Sequence, residues 1–406
     1  MDWIHAHRQL TEIISILFTC SFVGWITNYI AVQMIFYPNE FIGIGRFGWK
    51  GIIPNHAIKM SSLIAKVLTS KVVRPYELYE KVDPHQINDS VRDIIKEKSR
   101  EIVHDILVAE NPTLWSLLPD TIKEDLEKEI RIEIPKQIEQ IYQSFGKELD
   151  SVLELEEIIR VSLSGRNTKF LVEMFVRCGG PEFTFIIRSG IYFGFLIGLV
   201  QVSFIGFFNQ WWTMPIMGVL VGYYTNWLAI LMIFRPLQPK KYLFFKYQGL
   251  FLKRQKEVSK EFAKVVSSRV FNAENLIRLI FLGKGGDLII QLVIEKAKTM
   301  TESKLKEKAP FAPMFLGSQK LNELKVKIAD RLIWIIPQVA DRIQGYLTDS
   351  LQIEKTVADR LSVLPPEEFE SLLHSVFKED ETTLIVLGAL LGGFVGLIQA
   401  YLVFMS

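Results

Sequence analysis

Apolar residues are not spread evenly along this chain. They gather into long runs at about 11–36, 185–207, 212–234 and 383–405, and thin into a helical rhythm between them. Each run exceeds the roughly 20 residues that an α-helix needs to cross a bilayer. Between the runs, apolar positions recur three or four apart among Asp, Glu, Lys and Arg, the signature of water-exposed amphipathic helices. Ile87, Val91, Ile94, Ile95, Ile102 and Ile106 form one such face. Ile122, Leu126, Ile130, Ile138, Ile141 and Phe145 form another, with a kink or break expected at Pro135. Asn111-Pro112 and Pro119-Asp120 separate helices, Pro310 and Pro337 are expected breaks, and Pro365-Pro366 opens a late helix. Cys178-Gly179-Gly180-Pro181 is expected to close the stretch that precedes the second run. Period-two alternation is hardly visible, so the fold class reads as an all-α integral membrane protein.

The pattern occurs twice. Gly24-Trp25-Ile26-Thr27-Asn28-Tyr29-Ile30-Ala31 is matched by Gly222-Tyr223-Tyr224-Thr225-Asn226-Trp227-Leu228-Ala229, at an offset of 198 residues. The same offset carries Met34-Ile35-Phe36 onto Met232-Ile233-Phe234, and Gly190, Gly194, Gly198 and Gln201 onto Gly388, Gly392, Gly396 and Gln399. A tandem two-fold repeat follows, and a residue kept in both copies carries internal weight. Five regions are expected: a tail and first transmembrane helix (1–37), a soluble helical domain (38–182), a transmembrane hairpin (183–235), a second soluble helical domain (236–380) and a fourth transmembrane helix (381–406). Phe208-Asn209-Gln210-Trp211 makes the tight turn of the hairpin. The first run is longer than a signal sequence, lacks a small-residue cleavage site and recurs internally, so it reads as a retained span.

Charge sets orientation. Arg46, Lys50, Arg177, Arg188, Arg235, Lys240, Lys241 and Lys246 flank the spans on the soluble side, against Arg8 alone on the other. The positive-inside bias therefore predicts cytoplasmic soluble domains. Across 406 residues, 49% are hydrophobic and 23% charged, with a net charge of +2, which argues against a nucleic-acid partner. The two cysteines, Cys20 and Cys178, offer neither a disulfide framework nor metal spacing.

Polar and small residues of the spans share faces. Gly24, Asn28 and Ala31 lie on one, and Gly190, Gly194, Gly198 and Gln201 on another. Small-xxx-small steps let backbones approach in lipid, and buried amides bond across helix interfaces. Thr27, Asn28, Thr225, Asn226 and the glycine and glutamine positions of both copies are thus the candidate intramembrane sites. They serve either as helix glue or as paired polar sites of a repeat-built transporter. Asn28 lies at the depth of Gly190 and Gly194 rather than of Gln201, so its amide is expected to bond backbone carbonyl on the glycine face. The basic connector, with Lys240, Lys241, Lys246, Lys253 and Arg254 among aromatic residues, suits the headgroups of anionic lipid.

Catalytic signatures are weak. His5, His7, His56, His85, His104 and His374 stand singly, without a second ligand at metal spacing. Leu282-Gly283-Lys284-Gly285-Gly286-Asp287 lacks the Walker spacing and its Lys-Ser/Thr ending. Carboxylate runs such as Glu154-Leu155-Glu156-Glu157 and Glu379-Asp380-Glu381 are typical of solvated helix faces. No enzyme activity, cofactor or metal is expected.

The Thr-Asn-Tyr/Trp-x-Ala-x-x-Met-Ile-Phe-x-Pro stretch, the Gly249 to Gln255 run and the segment Gly388 to Gln399 resemble the bacterial membrane proteins catalogued as domain of unknown function 445, which include YheB-like and YjiN-like proteins. The first copy departs at Pro54-Asn55-His56, where the second has Leu252-Lys253-Arg254. The resemblance implies a multi-pass protein of the bacterial cytoplasmic membrane without an established activity. The expected function is a membrane-anchored helical scaffold or lipid-handling module with membrane lipid as partner, and room for a homo-oligomer or protein partner. The alternative is a small-solute transporter.

Overall fold

The computed structural model describes residues 2–45, 47–110, 119–149, 153–205, 210–242, 245–281, 283–308, 312–377 and 381–404. Among the sequence expectations, Arg46, Asn111-Pro112, Phe208-Asn209, Leu282, Pro310 and Glu379-Asp380 lie outside the described residues, as do the side chains of Ile102, Ile106, Ile122, Leu126 and Ile130.

The chain forms two compact units, each gathered from both halves. One comprises residues 1–67, 159–266 and 357–406, and the other residues 68–158 and 267–356. In the first unit, Ile13–Phe36, Gly165–Ser203, Thr213–Phe234 and Glu381–Tyr401 are helical segments long and apolar enough to cross a membrane. The first span packs along the second and the third along the fourth. Each pair closes on glycine. A Cβ added to Gly24 would fall 2.2 Å from the carbonyl oxygen of Gly190, and one added to Gly222 would fall 2.0 Å from that of Gly388. Any side chain there would force the helices apart.

After the first span, β1 (Ile42–Ile44) and β2 (Phe47–Trp49) pair as an antiparallel hairpin, and after the third, β3 (Lys240–Tyr242) and β4 (Phe245–Tyr247) do the same. These two hairpins are the sheet found among the described residues, and helix accounts for nearly everything else. Each hairpin is tied back to its span: Gly51 N donates to Pro38 O at 2.9 Å, and Gly249 N to Pro236 O at 3.0 Å. Short amphipathic helices follow, Ala57–Val67 burying Met60 and Ile64, and Gln255–Val265 burying Val258 and Phe262.

At three prolines the helix runs on without a break. Pro181 lies inside one helix, Thr168–Ile205, so Cys178-Gly179-Gly180-Pro181 does not end a segment. Pro135 lies inside Asp120–Lys147, and Pro337 inside Ala312–Leu351. A proline removes one intrahelical hydrogen bond. Helix continues through each of the three nonetheless, and around Pro181 the neighbouring Phe175 and Phe183 are buried. Pro366 begins the helix Pro366–Phe377, where the first-turn donors have no intrahelical acceptor to lose.

The second unit packs the helices Pro84–Glu110, Asp120–Lys147, Gly283–Lys308 and Ala312–Leu351. Val91, Ile343 and Leu347 are its fully buried centre, and Ile87, Ile95, Ile138 and Val339 pack against them. The apolar rhythm of 84–110 thus meets residues about 250 positions further on.

Candidate functional site

Asn28 and Asn226 sit fully inside the span bundle, at 0% and 3% exposure, with Thr27 and Thr225 at 0%. Asn28 Nδ2 donates to Ile186 O at 2.7 Å, and Asn226 Nδ2 to Leu384 O at 2.9 Å. Each amide meets the turn that precedes a glycine of the neighbouring span, Gly190 or Gly388. Thr225 Oγ1 reaches Asn28 Oδ1 at 3.4 Å, whereas Thr27 Oγ1 turns back to Val23 O at 2.8 Å. Asn226 Oδ1 is left without a partner among the described residues.

The other small positions face neighbouring backbone. Gly194 and Gly198 lie against Cys20, and Gly392 and Gly396 against Gly218 and Met214. Gln201, 2% exposed, accepts from the thiol of Cys20 at 2.9 Å, a partner that residue spacing did not suggest. Position 218, which answers Cys20 at the repeat offset, is glycine, and Gln399 is half-buried.

Lys240, Lys241, Lys246 and Lys253 are exposed, as headgroup contact requires. Arg254 turns inward instead. Its Nη1 lies 2.7 Å from Glu182 Oε1 and Oε2, and its Nε lies 2.7 Å from Glu257. Glu182 is 1% exposed, so this guanidinium neutralises a buried carboxylate. Burial works against charge on Arg254, and the bonds to Glu182 and Glu257 more than compensate, raising its pKa above the ordinary value.

A second charged cluster gathers near the end of the third span. His374 Nδ1 meets Glu370 at 2.6 Å, its Nε2 makes a short contact with Glu381, and its ring stacks on Phe234 with centroids 4.4 Å apart. Arg235 reaches Glu370 at 3.5 Å. Burial lowers the imidazole pKa, but hydrogen bonds and charge from Glu381 and Glu370 outweigh it and raise His374 above its ordinary value. The signal for this cluster lay in the departures between the copies: at the repeat offset, Glu370, His374 and Glu381 answer Val172, Val176 and Phe183.

The second unit holds a partly open cavity of about 270 Å³. Its wall includes Ile94, Ile138, Ile141, Phe145, Val339 and Ile343. Tyr142, which also lines it, has its hydroxyl engaged with Tyr79 O at 2.6 Å and Val82 O at 2.7 Å. Burial pushes that phenol's pKa upward, so it stays neutral. Lys98 and Lys296 are the cationic residues of the wall, and Lys98 Nζ lies 5.9 Å from the ring centre of Trp334. Among the described residues no cluster of His, Cys, Asp and Glu could hold a metal.

Four apolar helices paired through glycine and buried amides define a multi-span helical membrane protein. The chain is similar to "UPF0754 membrane protein BH1148" of Halalkalibacterium halodurans, with 22% identity over 390 residues, 94% of this chain and 96% of that protein. That likeness supports a membrane location. No family model matches the chain. No solved structure matches it.

Proposed function

We propose that the protein is a non-enzymatic lipid-handling module of the bacterial cytoplasmic membrane, in which the second unit shelters a single acyl chain. The carrying observation is the cavity of about 270 Å³ with its almost wholly apolar wall. An apolar protein cavity of about 150 Å³ stays dry and takes a benzene ring. Nearly twice that volume suits part of a fatty chain, with Lys296 on its wall for an acidic head, while Lys98 is already paired with Glu101 at 2.8 Å. The same reading takes the chain as a tandem repeat whose regions 38–182 and 236–380 are helical and cytoplasmic. The paired amide bonds of Asn28 and Asn226 support the repeat.

The basic hairpin supports contact with anionic lipid. Lys241 and Lys246 are directly opposed across β3 and β4, where β1 and β2 pair Gly43 with Gly48. Like charges opposed in this way repel, and an anion between them relieves the repulsion. The reading is tested by extracting the purified protein with solvent and identifying retained fatty acids by mass spectrometry. Ile343→Trp, which fills the cavity, should reduce the retained acyl chain at least tenfold. Equal retention would defeat the proposal. Orientation is tested with single cysteines in intact cells after Cys20 and Cys178 are replaced: Gln210→Cys should label from outside, and Ser90→Cys and Ile290→Cys should not.

A transporter remains the second reading, favoured by the unpartnered Asn226 Oδ1 at the centre of the spans. Solute flux in proteoliposomes, abolished by Asn226→Leu without loss of assembly, would favour it.

A further inference from the structure

Beside the last turn of the third span, Thr213–Phe234, the first unit carries an open groove of about 690 Å³. Pro236 has no N–H to donate, so the carbonyl of Met232, four residues earlier, lacks its helical partner. The hydroxyl of Tyr247 on β4 donates to that carbonyl instead, which holds the hairpin back against the span. Leu231 and Met232 form one wall of the groove, and Arg235, Lys240, Tyr247 and Glu367 line the rest. Leu231 lies inside the span and is 40% exposed, so its wall faces lipid. Arg235 follows the last residue of the span, which sets the charged end of the groove at the headgroup level.

The groove presents charge of both signs. Arg235 is 49% exposed and makes one side-chain ion pair, with Glu370 at 3.5 Å, which leaves most of its donors for a guest. Lys240 and Glu367 are exposed, and among the described residues neither has a hydrogen-bond or ion-pair partner. Strand alternation turns Lys240 to the opposite face of β3 from Lys241, so the groove is separate from the opposed Lys241 and Lys246. We infer that the groove is a headgroup site for one phospholipid that carries an amine, such as phosphatidylethanolamine, with its phosphate at Arg235 and Lys240, its ammonium at Glu367 and an acyl chain along Leu231. A headgroup bearing phosphate alone would leave the Glu367 carboxylate as a repelling neighbour, whereas a zwitterion answers both signs. At the repeat offset the first copy has Tyr37, Ile42 and Lys169 in place of Arg235, Lys240 and Glu367, so one such lipid per chain is expected.

The inference goes beyond the acyl-chain reading, since it concerns the first unit and the headgroup of a lipid. It is tested with the delipidated full-length protein by native mass spectrometry, offering equal amounts of phosphatidylethanolamine and phosphatidylglycerol with identical chains. Wild type should retain the amine lipid about fivefold better, the worth of one partly exposed ion pair. Glu367→Gln, at an exposed position, should remove the preference. Equal retention of the two lipids by wild type would overturn the inference, even if the variant fails to fold, and so would a preference that persists in Glu367→Gln. Soluble glycerophosphoethanolamine in excess should not displace the lipid. Displacement would mean that the groove takes a free headgroup, and the lipid site would be disproved. Ile343→Trp separates the two readings: the amine preference should survive it, and its loss there would place the preference in the second unit and not in the groove.

Discussion

The two compact units pack their helices by opposite means. In the first, backbone lies against backbone, with room for no more than hydrogen at Gly24, Gly190, Gly222 and Gly388. In the second, branched aliphatic side chains meet around Val91 and Ile343 and leave a cavity. The contrast is the one expected between helices packed in lipid and helices packed in water. Lipid tails are as apolar as leucine, so spans associate through van der Waals fit and hydrogen bonds, and small residues maximise both. Water drives large apolar faces together regardless of fit, so a water-exposed bundle holds together even where its packing is incomplete.

The contrast is broken most directly at its tightest point. Gly388→Leu should cost about 3 kcal/mol or more and abolish a monodisperse peak in size-exclusion chromatography, because its side chain would meet Asn226 and Gly222. In the second unit Ile138→Phe, which grows into the cavity, should stay within about 1 kcal/mol of wild type. Comparable losses in both would mean that the two units are packed alike.

Next in size is the buried ion pair. Arg254→Gln strands the Glu182 carboxylate and should destabilise by about 3 kcal/mol, measured by thermal unfolding in detergent. Lys253→Gln, at an exposed position, should be close to neutral, and adding Glu182→Gln to Arg254→Gln should recover most of the loss. If Lys253→Gln and Arg254→Gln behaved alike, Arg254 would have no structural role beyond its neighbour's.

A smaller effect depends on pH. The folded pKa of His374 is raised from about 6.5, so its charged contacts with Glu370 and Glu381 contribute stability that is complete below that value. That contribution disappears as pH rises through the folded pKa. The melting temperature of wild type should therefore fall towards that of His374→Gln between pH 6 and pH 9. A constant gap across the range would rule out the linkage.

The smallest expected loss is that of Asn28→Leu. One hydrogen bond to the Ile186 carbonyl should be worth about 0.6 kcal/mol, close to the average for such bonds in membranes. A loss above 2 kcal/mol, read from the same unfolding assay, would show that the Thr225 contact makes the site a cooperative network.

Much of this architecture could be read along the chain. Four apolar runs exceed the bilayer thickness, and Gly24 with Gly190, like Gly222 with Gly388, can only be interface glycines in helices of that kind. Solvent imposes length and periodicity locally, so a linear pattern records them. Proline did not end the helix at Pro135, Pro181 or Pro337, since one lost hydrogen bond is small beside the rest of a long helix. Arg254 looked like one more cation of a basic stretch, because only the fold brings Glu182 to it across 72 positions. The Cys20–Gln201 bond spans 181 positions, and the cavity wall joins Ile94 to Ile343. Sequence by itself determined which segments suit lipid and which suit water, because hydropathy is a property of each residue. The tertiary structure alone decided which buried polar atoms found partners and where space was left, because hydrogen bonds and cavities are properties of pairs and groups that the chain keeps far apart.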